Sequence, residues 1–478
     1  MKRFEYKWVV AVVMVIGLFM ELLDMTIVNV ALPGFARDFE ASATTIQWIV
    51  TGYLLSLAVV IPLSGWAGDR YGTKRTFMFA LTVFTSGSLL CALAQNAEQL
   101  IAFRVVQGVG GGMLTPVGTA MLFRAFPPNE RSKASALLAI PASMAPAMGP
   151  VVGGYLVEYH SWHWIFLINI PIGLAGLAIS ALYLDEHREL AGKRLDVPGF
   201  VLSAGGLAAL IYGLSEAGDR GFEDPRALGF MVGGLVTLTV FVLLELRTAQ
   251  PMLNVRLFTN RLFATNNAVQ FVAMAGFSGV LFILPLLLQA ERGLTPLQSG
   301  LTTFPMALGV LTFAPFVGRI YPRVGPRRLM VAGLIVGSLS AFVFVWIDLE
   351  TSQWWIRAIM YGRGVGFALM LVPLQAATFA TISNRDTGEA SAMFNVGRQV
   401  ASSFGVALLA TVLTRRLVEH GGQLGNPATR DASLSAFHDA FVVSGLIIVI
   451  GVAAAFLVRD HEAAASMQRT ERAAATAH

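Results

Sequence analysis

Charge is what this sequence has least of. Asp, Glu, Lys and Arg make up 13% of its 478 residues, against about 25% in ordinary soluble domains. There is a single cysteine, Cys91, so no intramolecular disulfide can form and the redox compartment cannot be read from thiols. No P-loop is present, which excludes the usual ATP-driven machinery. The glycine run Gly108-Val-Gly110-Gly-Gly-Met113 lacks the third glycine of a dinucleotide fingerprint and follows no strand. His160 and His163 have no carboxylate or thiolate companions, so with Trp162 and Trp164 they read as an interfacial belt, and no metal or cofactor is expected beyond protons as a coupling ion. Loops too short for a catalytic domain, and no nucleophile–base constellation, argue against a membrane-embedded enzyme. The formal charge of +5 is spread among short loops without a basic patch, which argues against nucleic acid.

Apolar length is abundant instead. Hydrophobic residues make up 55% of the chain, and long apolar segments recur fourteen times, at about 8–32, 44–66, 76–95, 98–123, 134–157, 163–184, 197–216, 227–246, 262–289, 296–320, 328–348, 353–382, 389–414 and 435–458. Each approaches the roughly 20 residues needed to cross a hydrocarbon core. The first begins like a signal peptide after Met1-Lys2-Arg3, but it is too long, contains two acids and lacks a small-residue cleavage site. It reads as a retained span. With the N-terminus inside, 23 of the 34 Lys and Arg lie on the inner side, 8 on the outer side and 3 within spans. This predicts both termini in the cytoplasm of a multi-pass cell-membrane (inner-membrane) protein. The loop from Arg415 to Leu434 is the longest and fits that count worst. The Ala-rich tail after Arg459 is expected to be disordered.

An internal repeat is visible. Gly65-Trp-Ala-Gly-Asp69-Arg70-Tyr-Gly72-Thr-Lys74-Arg75 recurs as Gly318-Arg-Ile-Tyr-Pro322-Arg323-Val-Gly325-Pro-Arg327-Arg328, displaced by 253. Gly108-Val-Gly110 recurs as Gly364-Val-Gly366, and Ala134-Ser135-Ala136 with Gly149 recurs as Ala390-Ser391-Ala392 with Gly405, both displaced by 256. The near-equal shifts predict two parallel six-helix halves, with two spans inserted between them. The expected domains are 1–190, the inserted pair 191–250, the second bundle 251–460 and the tail 461–478.

The chemistry is concentrated in Glu21-Leu22-Leu23-Asp24-Met25-Thr26-Ile27-Val28-Asn29, which places two acids in the first apolar run. They sit three apart, on one helix face. An acid at bilayer depth costs several kcal/mol unless it faces a cavity or a partner, so it marks a functional site; the bland alternative is helix-to-helix glue. Arg104, in the outer half of the fourth span, cannot shed its charge there and needs a carboxylate, with Asp24 and Glu21 nearest by depth. Such a pair is either static packing or a proton switch that protonation breaks.

The parallel halves and the loop from Gly65 to Arg75 resemble the major facilitator superfamily. Fourteen spans, with Leu23-Asp24-Met25-Thr26-Ile27-Val28-Asn29-Val30-Ala31-Leu32-Pro33, Trp162-His-Trp164-Ile-Phe166-Leu-Ile-Asn169-Ile-Pro171-Ile-Gly173, Arg194-Leu-Asp196 and Leu284-Pro285 through Gln289, more narrowly resemble its drug/proton antiporter family of the EmrB/QacA type. The resemblance implies an all-α membrane protein with the major facilitator fold, two six-helix bundles plus two inserted helices. It further implies proton-coupled export of amphiphilic or hydrophobic compounds, multidrug efflux above all, by alternating access. Asp24, Glu21 and Arg104 would couple protons, and Gly65, Asp69, Arg70, Gly72 and Arg75 would form a cytoplasmic gating loop. That latch would be degenerate in the second copy, where Pro322 replaces Asp69. Gly149-Pro150-x-x-Gly153-Gly154 is similar to the antiporter motif, although Ala136 and Ala145 stand where the family favours glycine. Asn29, Gln107, Arg363, Asn395 and Arg398 are expected to line a substrate cavity, although Arg363 or Arg398 could instead satisfy backbone carbonyls at a helix break. A lipid or another endogenous amphiphile is the alternative cargo. The expected partners are the bilayer and a small amphiphile; the chain is expected to act as a monomer, and a periplasmic adaptor is compatible.

Overall fold

The computed structural model describes residues 5–41, 43–188, 195–248, 251, 253–383 and 385–467. Among the described residues fourteen helices are long and apolar enough to cross a membrane. Spans 1 to 6 are Tyr6–Leu32, Trp48–Tyr71, Thr73–Ala92, Ala97–Ala125, Pro128–Tyr159 and His163–Tyr183. Spans 7 and 8 are Val197–Gly218 and Pro225–Arg247. Spans 9 to 14 are Arg261–Glu291, Pro296–Val324, Pro326–Trp346, Gln353–Thr378, Thr387–His420 and Pro427–Ala455. Every apolar segment predicted from the sequence falls on one of them.

The repeat in the sequence is a repeat in packing. Span 1 lies against span 5, and spans 2 and 3 against span 4; eight spans later, span 9 lies against span 13, and spans 10 and 11 against span 12. The repeated glycines make these approaches physically possible. A Cβ on Gly110 would stand 2.4 Å from the Phe84 nitrogen of span 3, and one on its counterpart Gly366 would stand 2.8 Å from the Gly333 oxygen of span 11. With no side chain there, two backbones touch. Spans 7 and 8 form a hairpin whose first helix touches both span 2 and span 13, so the insertion lies along the seam between halves.

Two expectations need correction. Span 13 is helical through His420 and the helix of span 14 starts at Arg430, so the loop expected from Arg415 to Leu434 is mostly helix. The tail is folded at least to Met467: Asp460–Ala463 is a 3₁₀ turn and Ala464–Met467 a helical turn. Ser466 hydrogen-bonds the hydroxyl of fully buried Tyr321 at 2.7 Å. A polar, Ala-rich composition suggests disorder, but the tail is held by this hydroxyl pair, by Asp460 on Arg327, by Glu462 on Arg261 and by Ala463 in the core. Residues 468–478, and Arg194 of the motif before span 7, lie outside the described residues.

Candidate functional site: a buried acid–guanidinium cluster

Asp24 and Arg104 are 0% and 1% exposed and form a direct ion pair between spans 1 and 4. The Arg104 guanidinium also donates to the Gln107 amide oxygen at 2.8 Å and lies 3.9 Å above the Tyr53 ring of span 2. Gln107, one helical turn from Arg104, donates its amide N–H to the second Asp24 oxygen at 2.9 Å. Span 6 contributes Asn169, whose amide reaches Asp24 at 3.4 Å and Ser88 at 3.0 Å. Spans 4 and 6 therefore donate to one carboxylate of span 1, and span 2 covers its cation. Buried charges require this: a lone ion at such a position would cost far more than a hydrogen-bonded pair. Gln107, expected to line a cavity, is 0% exposed and belongs to this cluster.

Glu21 sits one turn nearer the end that carries the termini and has a different environment. Its carboxylate accepts from the Thr115 hydroxyl of span 4, and no cation lies within ion-pair distance of it among the described residues. The next residue of span 4, Pro116, accepts from Ser391 of span 13 at 2.8 Å, so Glu21 and Thr115 stand at the seam between halves. Ser391, Asn395 and Arg398 are spaced four and three apart on one face of span 13. Asn395 is turned back on its own helix, donating to Ser391 at 2.9 Å. Arg398 is half-buried and lies in Coulombic range of Glu21, and it makes no hydrogen bond or ion pair among the described residues.

Arg363, expected either to line a cavity or to satisfy backbone carbonyls, does the second. Arg363 is 0% exposed and donates to the carbonyls of Gly337, Gly276 and Phe277 at 3.2–3.3 Å and to Ser340 at 3.3 Å. It fastens spans 9, 11 and 12 to one another and reaches no cavity. Glycines in those spans leave carbonyls accessible to it, and no acid in the second half competes for its donors. Asn29 is exposed and bonds only its own helix, at Met25.

The glycine motif of span 5 faces span 1 just beyond Asp24. A Cβ on Gly149 would stand 2.2 Å from Thr26 Oγ1, and one on Gly153 would stand 2.8 Å from the Ile27 side chain. Gly154 and Pro150 face span 10 of the other half instead, at Leu297 and Gly300. Span 5 therefore lies between the acid-bearing helix and the second bundle.

At the termini end, Asp69 is 1% exposed and accepts from Arg124 of span 4 at 3.1 Å. It lies at the start of span 13, where a Cβ on Gly388 would stand 3.4 Å from Asp69 Oδ1. A carboxylate is favoured at a helix N-terminus, so the interaction joins the two halves. Gly65 makes room for it, its Cβ position being 3.2 Å from the Gly388 oxygen. Phe123 and Phe379 stack at 4.5 Å, and Ser132 donates to the Gly318 carbonyl at 3.1 Å, closing the same end. Gly72 has φ of +96° and opens span 3, whose Lys74 and Arg75 nitrogens donate to Glu186 at 3.1 and 3.2 Å. Exposed Arg75 is 3.6 Å from the same carboxylate, while the Arg70 carbonyl accepts from Arg188 at 2.9 Å. Pro322 indeed offers no carboxylate in the second copy, yet the cap survives there: Gly325 has φ of +86°, and Asp460 accepts from the Arg327 nitrogen at 2.9 Å. Arg124, Glu186, Tyr53 and Thr115 were not singled out by sequence reasoning, and Asn169 entered it only as part of the span 6 motif. Their signal, a polar residue within or beside an apolar span, is too common alone.

A parallel duplication of six-helix bundles around a seam, with a buried acid–guanidinium pair in the first bundle, is the architecture of a secondary transporter. The family model described as Major Facilitator Superfamily matches residues 14–406. The chain is 34% identical over 443 residues to the Bacillus subtilis protein "Uncharacterized MFS-type transporter YhcA", covering 92% of this chain and 83% of that one. It is 37% identical over 409 residues to a Mycobacterium tuberculosis "Multidrug resistance protein B homolog", covering 84% and 75%. It is 32% identical over 443 residues to the "Putative multidrug resistance protein MdtD" of Serratia proteamaculans, covering 93% and 91%. Among solved structures, the human organic anion transporter MFSD10 superposes with a TM-score of 0.67 at 16% identity, covering 95% of this chain and 99% of that one. The proton:xylose symporter XylE superposes at 0.66 with 13% identity, covering 97% and 98%; both likenesses concern the fold. The chain belongs to the Major Facilitator Superfamily. It is a multi-pass membrane transporter, not an enzyme.

Proposed function

We propose that the protein is a proton-coupled exporter of amphiphilic or hydrophobic compounds, working by alternating access in the cell membrane with both termini in the cytoplasm. The observation that carries the reading is the Asp24–Arg104 pair, sealed within one bundle by Gln107 and Asn169. A proton on Asp24 removes the counter-charge of Arg104, so the pair is an electrostatic latch that a proton can open. Thr26 and Ile27, immediately beyond Asp24, touch Gly149 and Gly153 of span 5, and span 5 touches span 10 of the other half. A shift of span 1 therefore has a contiguous route to the seam. With the termini in the cytoplasm, the end closed by Asp69, Phe123 and Ser132 is the cytoplasmic one. Export rather than uptake is supported by the likeness of the Gly149–Gly154 motif to that of antiporters and by the names of the relatives.

A membrane potential of about 100 mV supplies about 2.3 kcal/mol per charge, enough for a roughly fifty-fold gradient in electrogenic one-for-one exchange. The test is transport in sealed vesicles with the cytoplasmic face outward. An acidic interior should drive accumulation of a fluorescent amphiphile, and a protonophore should abolish it. Accumulation that ignores the imposed gradient would leave a transporter without proton coupling.

A further inference from the structure

The polar groups at the seam are not used by the Asp24 cluster. Glu21 comes from the first half and Arg398 from the second; they lie in electrostatic range without touching. The Ser391–Pro116 hydrogen bond fixes the approach of the two helices that carry Arg398 and Thr115. Arg398 follows Ser391 by seven residues, about 10 Å along the helix at 1.5 Å per residue. The charged and titratable groups facing Glu21 are Arg398 from span 13, Asp24 on its own helix and Tyr53 from span 2; Thr115 is its donor.

Near Gly397, the chain neighbour of Arg398, span 9 carries amides without a hydrogen-bond partner among the described residues. Gln270 and Asn266 of span 9 are both 0% exposed, and all of their side-chain polar atoms lack partners. Leaving such a group unsatisfied is costly, so a ligand that bonds it gains. Gln270 Oε1 and the unpartnered Asn267 Oδ1 each lie 3.8 Å from where a Cβ on Gly397 would stand, beside Arg398. Glu21 of the first half and Arg398 of the second lie in electrostatic range at the seam, and two unmet amide oxygens of span 9 border the Gly397 position next to Arg398.

We propose that this is the cargo site and that it selects zwitterionic amphiphiles, whose cationic group binds Glu21 and whose oxyanion binds Arg398 with the span 9 amides. The inference rests on the exporter reading and names its substrate class. Charge balance decides between classes. A bare cation drawn to Glu21 is repelled by Arg398, and a bare anion drawn to Arg398 is repelled by Glu21. A net-neutral dipole satisfies both, and a guanidinium accepts an oxyanion in a bidentate grip.

The test uses the vesicle transport described above, with three decyl-chain competitors well below micellar concentration: a trimethylammonium, a sulfobetaine and a sulfate. For the wild type, the sulfobetaine should inhibit at a concentration about tenfold lower than either charged analogue, a difference of about 1.4 kcal/mol. Arg398→Gln should move the preference to the cation, and Arg398→Lys should keep it. Glu21→Gln should move it to the sulfate, an opposite displacement that misfolding cannot imitate. Dioctanoylphosphatidylcholine is a two-chain arm. A zwitterion preference confined to it identifies a membrane lipid as cargo, one shared with the sulfobetaine identifies free amphiphiles, and both sustain the inference. The same ranking in wild type and Arg398→Gln, or a wild type that prefers the cation, overturns the inference while leaving the exporter intact. Vesicles in which no reporter accumulates overturn the exporter reading and the inference with it.

Discussion

Asp24→Asn is expected to lower gradient-driven accumulation at least tenfold while downhill movement of the same compound persists. Asparagine has nearly the size of a protonated aspartic acid and can still accept from Arg104, so the four-span junction keeps its shape. What it loses is the charged state. If the transport cycle alternates between charged and neutral Asp24, the variant is held at the neutral end, a state that the wild-type fold must itself tolerate. The variant should still fold, with a lowered melting temperature because Arg104 stays behind without its counter-charge, and the functional loss should appear in coupling. A tenfold change corresponds to about 1.4 kcal/mol, within the roughly 2.3 kcal/mol that one charge crossing about 100 mV supplies. Equal accumulation by wild type and variant would remove Asp24 from the mechanism.

The second large effect concerns stability. Arg104→Met removes the cation and leaves Asp24 enclosed with two amides as its remaining donors. Truncating one partner of a buried ion pair costs about 3–5 kcal/mol, because the other charge stays behind unpaired. The variant should melt at a clearly lower temperature in detergent, and Asp24→Asn in the same chain should recover a substantial part of the loss, since the two changes share one interaction. Arg363→Met gives an informative contrast. Arg363 pairs with no acid, and its contacts are carbonyls and a serine. Its loss should destabilise without any rescue by a neutralised carboxylate, and without altering coupling.

These two arginines show how far the sequence could be read. Both sit inside spans, and Arg363 even falls at the repeat position of Gln107, displaced by 256. From the sequence, each was a charge in need of a partner. The partner of Arg104 was legible because only Asp24 and Glu21 lie at matching depth. For Arg363 backbone carbonyls were one of two open readings, and only the fold shows which ones it meets, because carbonyls carry no sequence signal. The spans and the duplication were legible for a different reason: bilayer thickness imposes a length, and close helix approach demands glycine at fixed places such as Gly110 and Gly366. Tyr53 was missed, and Asn169 entered only as part of a motif, because a single phenol or amide in an apolar span becomes meaningful only when the fold turns it toward an acid. The docked tail was missed because Asp460 and Ser466 act on Arg327 and Tyr321, more than a hundred residues away.

The distinction between the two acids of span 1 is likewise structural. Three residues apart, they share a face and look equivalent. In the fold one is matched to a guanidinium inside the first bundle, and the other stands at the seam with only a hydroxyl in contact. One would open the latch and the other would meet the cargo.

Proton release on cargo binding, followed in weakly buffered detergent solution with a pH-sensitive dye, tests the coupling most directly. The wild type should release protons on addition of a transported amphiphile, and Asp24→Asn should bind the same compound while releasing markedly fewer. Undiminished release from the variant, or binding by the wild type with no release at any pH between about 5 and 9, would contradict a latch opened by a proton on Asp24.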